Sequence, residues 1–451
     1  MESSHNECYF QELFFRFKIN NQVIMLKEYA VQMASSNLRF GPGVTKEVGM
    51  DLADMGIKRV LVFTDAQILN LQPAQTVFES LSSEGIEFDV FDRVRVEPDD
   101  ISIKEAIAVA QKGGYDGYVA VGGGSTIDTA KAANLYATYP DDFYAYINAP
   151  IGQGKPVPGP VKPLIAIPTT AGTGSETTGV AIMDLTEHKA KSGIAHRYLK
   201  PILGLVDPEN TKTMPPVIAA ASGLDILCHA LESFTAIPFY DRPRPKRPIY
   251  RPAYQGNNPI SDMWALKAID LTTKYIVRAF RDPNDEEARS NMILASSMAG
   301  MGFGNAGVHL CHGMSYPVSG MVKNYKPAGL SLDHSIVPHG MSVILNAPAV
   351  FRFTGSSCPE RHLQGASLMG ADISKVKDPV NEAGHLLANQ IVSLMQELEI
   401  PNGLSAIGYT KEDIPALVEG TLPQHRVTKL SPRPANAEDL TKMFQDAMVA
   451  W

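Results

Sequence analysis

Arg59-Val60-Leu61-Val62-Phe63-Thr64-Asp65, or RVLVFTD, is a continuous apolar run closed by a hydroxyl and a carboxylate. Consecutive side chains of a strand point to opposite faces, so a run without alternation suits a strand buried on both sides, as in a parallel sheet covered by helices. The surrounding sequence repeats the theme. A helical pattern over 74–83 leads to the strand Glu87-Phe88-Asp89-Val90-Phe91, and one over 102–112 leads to Gly117-Tyr118-Val119-Ala120-Val121. Ile103, Ala106, Ile107 and Ala110 recur at helical spacing, as a crossover helix between parallel strands requires. The pattern predicts an open, parallel α/β sheet over about residues 38–207.

After Val206-Asp207-Pro208 the texture changes. Helical patterns at 215–236, 261–281, 285–303, 357–369 and 380–399 follow one another with no strand-like run between them, which predicts an all-helical unit over 208–451. Pro238 to Pro259 breaks the series: six prolines accompany Arg242, Arg244, Lys246, Arg247 and Arg251. This is too proline-rich for a helix and too basic for a core, so it reads as a surface loop or a contact in a homo-oligomer. Residues 1–37 form an N-terminal extension. Phe10, Phe14, Phe15, Arg16, Phe17 and Lys18 suit a targeting segment, while Glu2, Glu7, Glu12 and Glu28 are unlike an import signal, so mitochondrion and cytoplasm both stay open.

A formal charge of −8 offers no general attraction for nucleic acid, and no uninterrupted apolar run is long enough to span a bilayer. Cys8, Cys228, Cys311 and Cys358 are far apart with no CxxC pair, which suits a reducing compartment. The composition predicts a soluble, multi-domain globular protein and disfavours nucleic-acid-binding and membrane-spanning roles.

Two glycine-bearing turns follow predicted strands. In Gly122-Gly123-Gly124-Ser125 the backbone N–H groups at a helix start suit a phosphate, with a tight strand-to-helix turn needing positive φ as the lesser alternative. In Pro168-Thr169-Thr170-Ala171-Gly172-Thr173-Gly174-Ser175-Glu176 the hydroxyls of Thr169, Thr170 and Thr173 suit a ribose or nicotinamide, or else cap a helix. Asp65 at a strand end suits the two hydroxyls of an adenosine ribose and would repel a 2′-phosphate, favouring NAD over NADP; a turn residue is the plainer account.

Asp225 and His229 are four apart and share one helix face. For the pair alone an Asp–His hydrogen bond is the simpler account. Downstream, His312 and His339 each precede glycine, and two further imidazoles complete a shell of one oxygen and three nitrogens suited to Fe2+ or Zn2+. Cys228 and Cys311 each precede one of these histidines, but adjacent helix residues point about 100° apart, so both read as buried, unligated thiols. Met298, Met301 and Met314 read as core fill.

Taken together, DxxxH, HGM and PHG, preceded by GGGS and PTTAGTGSE, resemble the iron-containing, group III alcohol dehydrogenases over about residues 38–451. The resemblance implies a dinucleotide-binding N-terminal domain, a helical metal-carrying C-terminal domain, and an active site in the cleft between them. It implies Asp225, His229, His312 and His339 as metal ligands, and Asp65, Gly122, Gly123, Gly124, Ser125, Thr169, Thr170 and Thr173 as NAD-binding residues. Most family members have a histidine, taken to assist proton transfer, one turn beyond the third ligand; here that position is Tyr316. A phenol can donate or relay a proton but is a poor base near neutrality. His309 and His334 read as packing residues that orient a ligand or relay protons, with His309 carried alongside Tyr316 as a catalytic candidate.

Closer still, GVHLCHGMSYPVSG, RPAYQGNNPISD and LPQHRVTKLSPRP resemble a mitochondrial branch of the family. That branch implies hydride transfer from a hydroxyacid, 4-hydroxybutyrate, to an oxoacid, 2-oxoglutarate, through tightly held NAD. Every such compound carries a carboxylate, so a cation must face the cleft, and guanidinium suits it best. Arg251 of the basic loop is the expected residue. An NAD-linked alcohol or lactaldehyde dehydrogenase that releases NADH, and an inactive scaffold of the same fold, are the competing readings.

Overall fold

Val60 and Val62 pack in one apolar cluster with Leu52, Val77 and Leu81, while Leu61 and Phe63 pack in another with Ile103, Ile107 and Ile127. Both faces of this strand are therefore buried, which is why its sequence does not alternate; each such side chain contributes roughly 1.5–3 kcal/mol relative to exposure. The computed structural model describes residues 16–19, 22–188, 190–330 and 334–451. Phe10, Phe14 and Phe15 of the expected targeting segment lie outside them, as does Cys8.

In chain order the strands are β1 (Arg16–Ile19), β2 (Gln22–Met25), β3 (Leu38–Phe40), β4 (Arg59–Phe63), β5 (Glu87–Phe91), β6 (Gly117–Gly122), β7 (Leu164–Pro168), β8 (Val180–Leu185), β9 (Ala190–Ala195) and β10 (Leu203–Val206). Six form one sheet in the order β3-β10-β7-β6-β4-β5, and every pairing in it is parallel. The first helices, α1 (Val48–Asp54), α2 (Gln72–Ser83), α3 (Asp100–Lys112) and α4 (Gly124–Thr138), cover its two faces. The expected α/β architecture is present. Because β5 lies on one side of β4 and β6 on the other, the chain reverses direction between β4 and β6. The crevice beyond the carboxyl ends of strands at such a reversal is where open α/β sheets bind ligands, and both Asp65 and the 122–125 turn stand there.

β8 and β9 form an antiparallel hairpin that the sequence pattern does not announce. Among the described residues no strand follows Val206. The chain continues through α5 (Pro216–Thr235), α6 (Pro259–Arg281), α7 (Glu286–Ala306), α8 (Leu310–Gly320), α9 (His339–Ile344), α10 (Ala347–Thr354), α11 (Pro359–Leu368), α12 (Pro379–Glu397), α13 (Ile414–Thr421), α14 (His425–Thr428) and α15 (Ala437–Ala447). α5 is long and apolar enough to cross a membrane by length and composition, but 83% of its most apolar stretch is buried inside the protein.

The proline-rich stretch between α5 and α6 is ordered, with single 3-10 turns at Phe239–Asp241 and Pro248–Tyr250. The N-terminal segment straps it down: Glu28 N donates to Arg242 O at 2.8 Å, and Arg244 N donates to Leu26 O at 2.8 Å.

Candidate metal centre and cofactor cleft

Asp225, His229 and Glu232 recur at i, i+4 and i+7 of α5 and face inward together. His312 comes from the first turn of α8 and His339 opens α9. One donor atom from each of Asp225, His229, His312 and His339 lies within 4.8 Å of the other three. Asp225 Oδ1 is 3.5 Å from His312 Nε2 and 4.0 Å from His339 Nε2, while Asp225 Oδ2 is 3.8 Å from His229 Nδ1. Asp225 Oδ1, His229 Nδ1 and His312 Nε2 are buried without a hydrogen-bond partner. Orphaned polar atoms cost roughly 1–3 kcal/mol each, so three converging on one point are accounted for by a divalent ion. The donor set of one carboxylate oxygen and three imidazole nitrogens fits Fe2+ or Zn2+.

The glycine after His339 has a steric role. A Cβ at Gly340 would lie 2.0 Å from Ala221 O and 2.7 Å from Asp225 Cβ, so only glycine lets α9 approach α5 closely enough to share an ion. Gly313, after His312, likewise admits Thr428 of α14 to within 2.8 Å of its Cβ position.

Glu232 is fully buried. It accepts from the backbone N–H of His309 at 3.1 Å and of Cys311 at 2.6 Å, and from His312 Nδ1. Burial opposes its ionisation, but His312 and His309 outweigh burial and hold it down at about 2, so it acts as an acceptor. Burial likewise opposes the charge on Asp225, which His229, His339 and His312 nonetheless hold well below the usual carboxylate range. Burial pushes His229 down to about 3 and lowers His339. His312 is raised well above an ordinary imidazole because Glu232 and Asp225 overcome its burial. A dication held there would take the place of that proton.

The two glycine-bearing turns meet. Thr169 N donates to Gly122 O at 3.0 Å, a Cβ on Gly123 would sit 3.3 Å from Thr170 Oγ1, and one on Gly124 would sit 2.6 Å from Thr173 Cγ2. Gly124, Ser125 and Thr173 line the same cleft as His229, His312 and His339. Gly122, Gly123, Thr169 and Thr170 adjoin these residues in sequence but are not among those that line the cleft. Asp65 lies apart from it at the end of β4, where its Oδ1 accepts from Gln67 N at 2.9 Å and Ile68 N at 3.0 Å; burial raises its pKa.

Tyr316 lines the cleft one turn beyond His312, and its hydroxyl accepts from Arg426 at 2.7 Å. His309 does not face the cleft. It is fully buried, with Nε2 2.9 Å from Thr235 Oγ1 and Nδ1 3.3 Å from Glu232 Oε1. Arg251 is not brought to the cleft either. The N-terminal strap supplies Glu28, which pairs with Arg251 through two contacts of 3.0 and 3.1 Å, and the expected carboxylate-binding residue is thereby committed elsewhere. The rest of the basic loop is similarly engaged or remote: Arg242 donates to Tyr254 O, Arg244 lies over the Tyr29 ring, and Arg247 is exposed. Cys228, Cys311 and Met314 are buried as expected, and His334 lies beside a neighbouring cavity with Ser335.

Comparison with known proteins shows the family to which the chain belongs. Residues 35–208 match the pattern described as iron-containing alcohol dehydrogenase, and residues 253–448 match the C-terminal pattern of the Fe-containing alcohol dehydrogenase family. The chain belongs to the iron-containing alcohol dehydrogenase family. Among curated members it is 59% identical over 423 residues to the mitochondrial hydroxyacid-oxoacid transhydrogenase of Bos taurus, covering 93% of this chain and 90% of that one. It is 57% identical over 439 residues to the probable mitochondrial hydroxyacid-oxoacid transhydrogenase of Dictyostelium discoideum, covering 94% and 80% respectively. Two solved alcohol dehydrogenase-like structures share the fold at 27% identity. A 1,3-propanediol oxidoreductase superposes with a TM-score of 0.81, covering 93% of this chain and 100% of that one. Sulfoacetaldehyde reductase from Bifidobacterium kashiwanohense in complex with NAD+ superposes with a TM-score of 0.75, covering 93% and 99%.

In this member of the iron-containing alcohol dehydrogenase family, the sequence pattern alone does not single out Glu232 or Arg426. Glu232 had a signal, its i+7 spacing from Asp225. Arg426 lies within the tail motif LPQHRVTKLSPRP, but nothing local marks it as facing the cleft, because it sits in a four-residue helix whose neighbours are set by folding.

Proposed function

We propose that the protein is a mitochondrial hydroxyacid-oxoacid transhydrogenase that oxidises 4-hydroxybutyrate to succinic semialdehyde and reduces 2-oxoglutarate to 2-hydroxyglutarate. The observation that carries this reading is the single cleft shared by Gly124, Ser125 and Thr173 on one wall and His229, His312 and His339 on the other. Its kinship with curated mitochondrial enzymes supports the location and the reaction. Asp225, His229, His312 and His339 would hold Fe2+, with Zn2+ the other ion the donors suit. Asp65, the 122–125 turn and Thr169, Thr170 and Thr173 would hold NAD between the α/β unit, 38–207, and the helical unit, 208–451. When bound, NAD would supply the hydride acceptor and donor for the two substrates in turn, and the metal would supply Lewis-acid stabilisation of the substrate oxygen.

The chain's own groups orient and exclude. Glu232 fixes the His312 ring through Nδ1, and His309 buttresses Glu232 as a positioning residue. Phe303 stacks on His229 with ring centroids 3.9 Å apart and keeps water from that side. Tyr316 accepts from Arg426, which leaves its own O–H free to give its proton to the oxygen of the oxoacid being reduced, and its deprotonated oxygen free to take the proton released by the hydroxyacid. Protons and hydride balance over the two halves, so no external reductant is needed.

The test is to mix 4-hydroxybutyrate and 2-oxoglutarate with purified enzyme and no added NAD. Accumulation of 2-hydroxyglutarate with equimolar succinic semialdehyde is the expected result. Strict dependence on added NAD with steady NADH release would instead make the protein an ordinary dehydrogenase.

A further inference from the structure

Arg426 is the only lysine or arginine among the described residues that line the metal-bearing cleft. Its immediate neighbours are two phenols. One nitrogen donates to Tyr316 Oη at 2.7 Å, and the guanidinium carbon lies 5.0 Å from the centroid of the Tyr254 ring. Its other terminal nitrogen, Nη1, is buried and has no hydrogen-bond partner, and among the described residues no carboxylate forms an ion pair with the group; Glu97 and Asp128 of the same cleft are bonded to Lys191 and Ser175 instead. The other buried cations near the cleft are spent: Lys191 is held by Glu97 at 2.6 Å and Asp184 at 3.2 Å, and Lys131 by Ser175, Thr178 and the Val180 carbonyl. A guanidinium left without an anion in a desolvated site is costly, and the cost is recovered when an anionic ligand arrives.

We propose that Arg426 binds the substrate carboxylate and thereby selects hydroxyacids and oxoacids over uncharged alcohols. The proposal rests on the transhydrogenase reading for the identity of the acids. His312 and Tyr316 are four residues apart on α8, about 6 Å along its axis, and both line the cleft together with Arg426, so the guanidinium bonded to Tyr316 shares the wall that carries the metal ligand. The substrates share a matching geometry. In 4-hydroxybutyrate and succinic semialdehyde the reacting carbon is separated from a carboxylate by two methylenes, and in 2-oxoglutarate and 2-hydroxyglutarate the reacting carbon is separated from the distal carboxylate by the same two methylenes. One fixed cation therefore serves both half-reactions, which a two-substrate site with a single cleft requires. Gly313 contributes indirectly, since its missing side chain is what admits Thr428, two residues from Arg426, against α8.

The experiment compares 4-hydroxybutyrate with its uncharged amide, 4-hydroxybutyramide, by following reduction of the nicotinamide in the holoenzyme in a single turnover. In the parent enzyme the apparent second-order rate constant for nicotinamide reduction should favour the acid by about a hundredfold, and Arg426→Gln should abolish most of that preference, with Arg426→Lys intermediate. Equal use of acid and amide by the parent would overturn the proposal without requiring any variant. An unchanged preference in Arg426→Gln would overturn it as well. Because the readout is a half-reaction, it stands apart from NAD-free turnover: a parent that prefers the acid but needs added NAD keeps the arginine assignment and loses the transhydrogenase one.

Discussion

His312 donates through Nδ1 to Glu232 Oε2, while its Nε2 stands 3.5 Å from Asp225 Oδ1 with no hydrogen-bond partner. One buried carboxylate thus sets which ring nitrogen is free for a metal. Glu232 also receives the backbone amides of His309 and Cys311, so the first turn of α8 is anchored at the same point. Glu232→Gln should keep the fold but lower metal affinity by about 10- to 100-fold, as loss of such an outer partner typically does. Metal content after dialysis against a graded chelator checks this, and retention equal to the parent would show that Glu232 does not orient the ligand.

Gly340→Ala is expected to be harsher. The added methyl meets Ala221 O and Asp225 Cβ at distances no real contact tolerates, so α9 must move away from α5. Overpacking of this kind costs about 1–3 kcal/mol, and it separates His339 from Asp225. Thermal unfolding should show a lowered midpoint together with reduced metal content; a lowered midpoint with full metal content would mean that α9 does not set the ligand spacing.

Tyr316→Phe removes the hydroxyl but keeps the ring. If this hydroxyl moves the substrate proton, kcat should fall by at least about tenfold and the pH–rate profile should change shape, with Tyr316→His restoring a group that titrates near neutrality. Profiles unchanged in both variants would remove Tyr316 from proton transfer. Loss of the Arg426 contact alone would raise KM for the acids and leave the shape of the profile as it was.

His362 supplies a pH effect on stability away from the metal. It is fully buried, accepts or donates at Thr354 Oγ1 at 2.9 Å, and burial pushes its pKa down to about 4 from an ordinary 6.5. Between those values the unfolded chain binds a proton that the folded chain refuses. Stability from this group is therefore full above pH 6.5 and is lost as the pH falls toward 4, up to on the order of 3 kcal/mol. Denaturant unfolding of the parent and of His362→Gln across that window should show a shallower decline in the variant. Parallel curves would assign the acid sensitivity to other groups.

What the sequence discloses follows from how local each feature is. RVLVFTD, the glycine turns and the long amphipathic helices are written in consecutive residues, and the structure carries each of them within a few positions. Asp225, His229 and Glu232 share a face because helical geometry requires it. The β8–β9 hairpin is obscured because Asp184, Glu187, His188 and Lys191 interrupt its apolar pattern, and Lys191 is buried only because Glu97 and Asp184 pair with it. Arg251 was misread for a similar reason: its partner Glu28 lies 223 residues away in the N-terminal strap. Arg426 reaches Tyr316 across 110 residues. Long-range pairing decides which arginine is free, and that information is not present in any local pattern.

The central claim is that one hydride passes from hydroxyacid to oxoacid without leaving the cleft. The direct measurement supplies 4-hydroxybutyrate deuterated at its alcohol carbon together with 2-oxoglutarate and an excess of unlabelled free NADH, and locates the deuterium by mass spectrometry. Full retention of the label at C2 of 2-hydroxyglutarate is the predicted result. Dilution of the label by the free NADH pool would contradict the account.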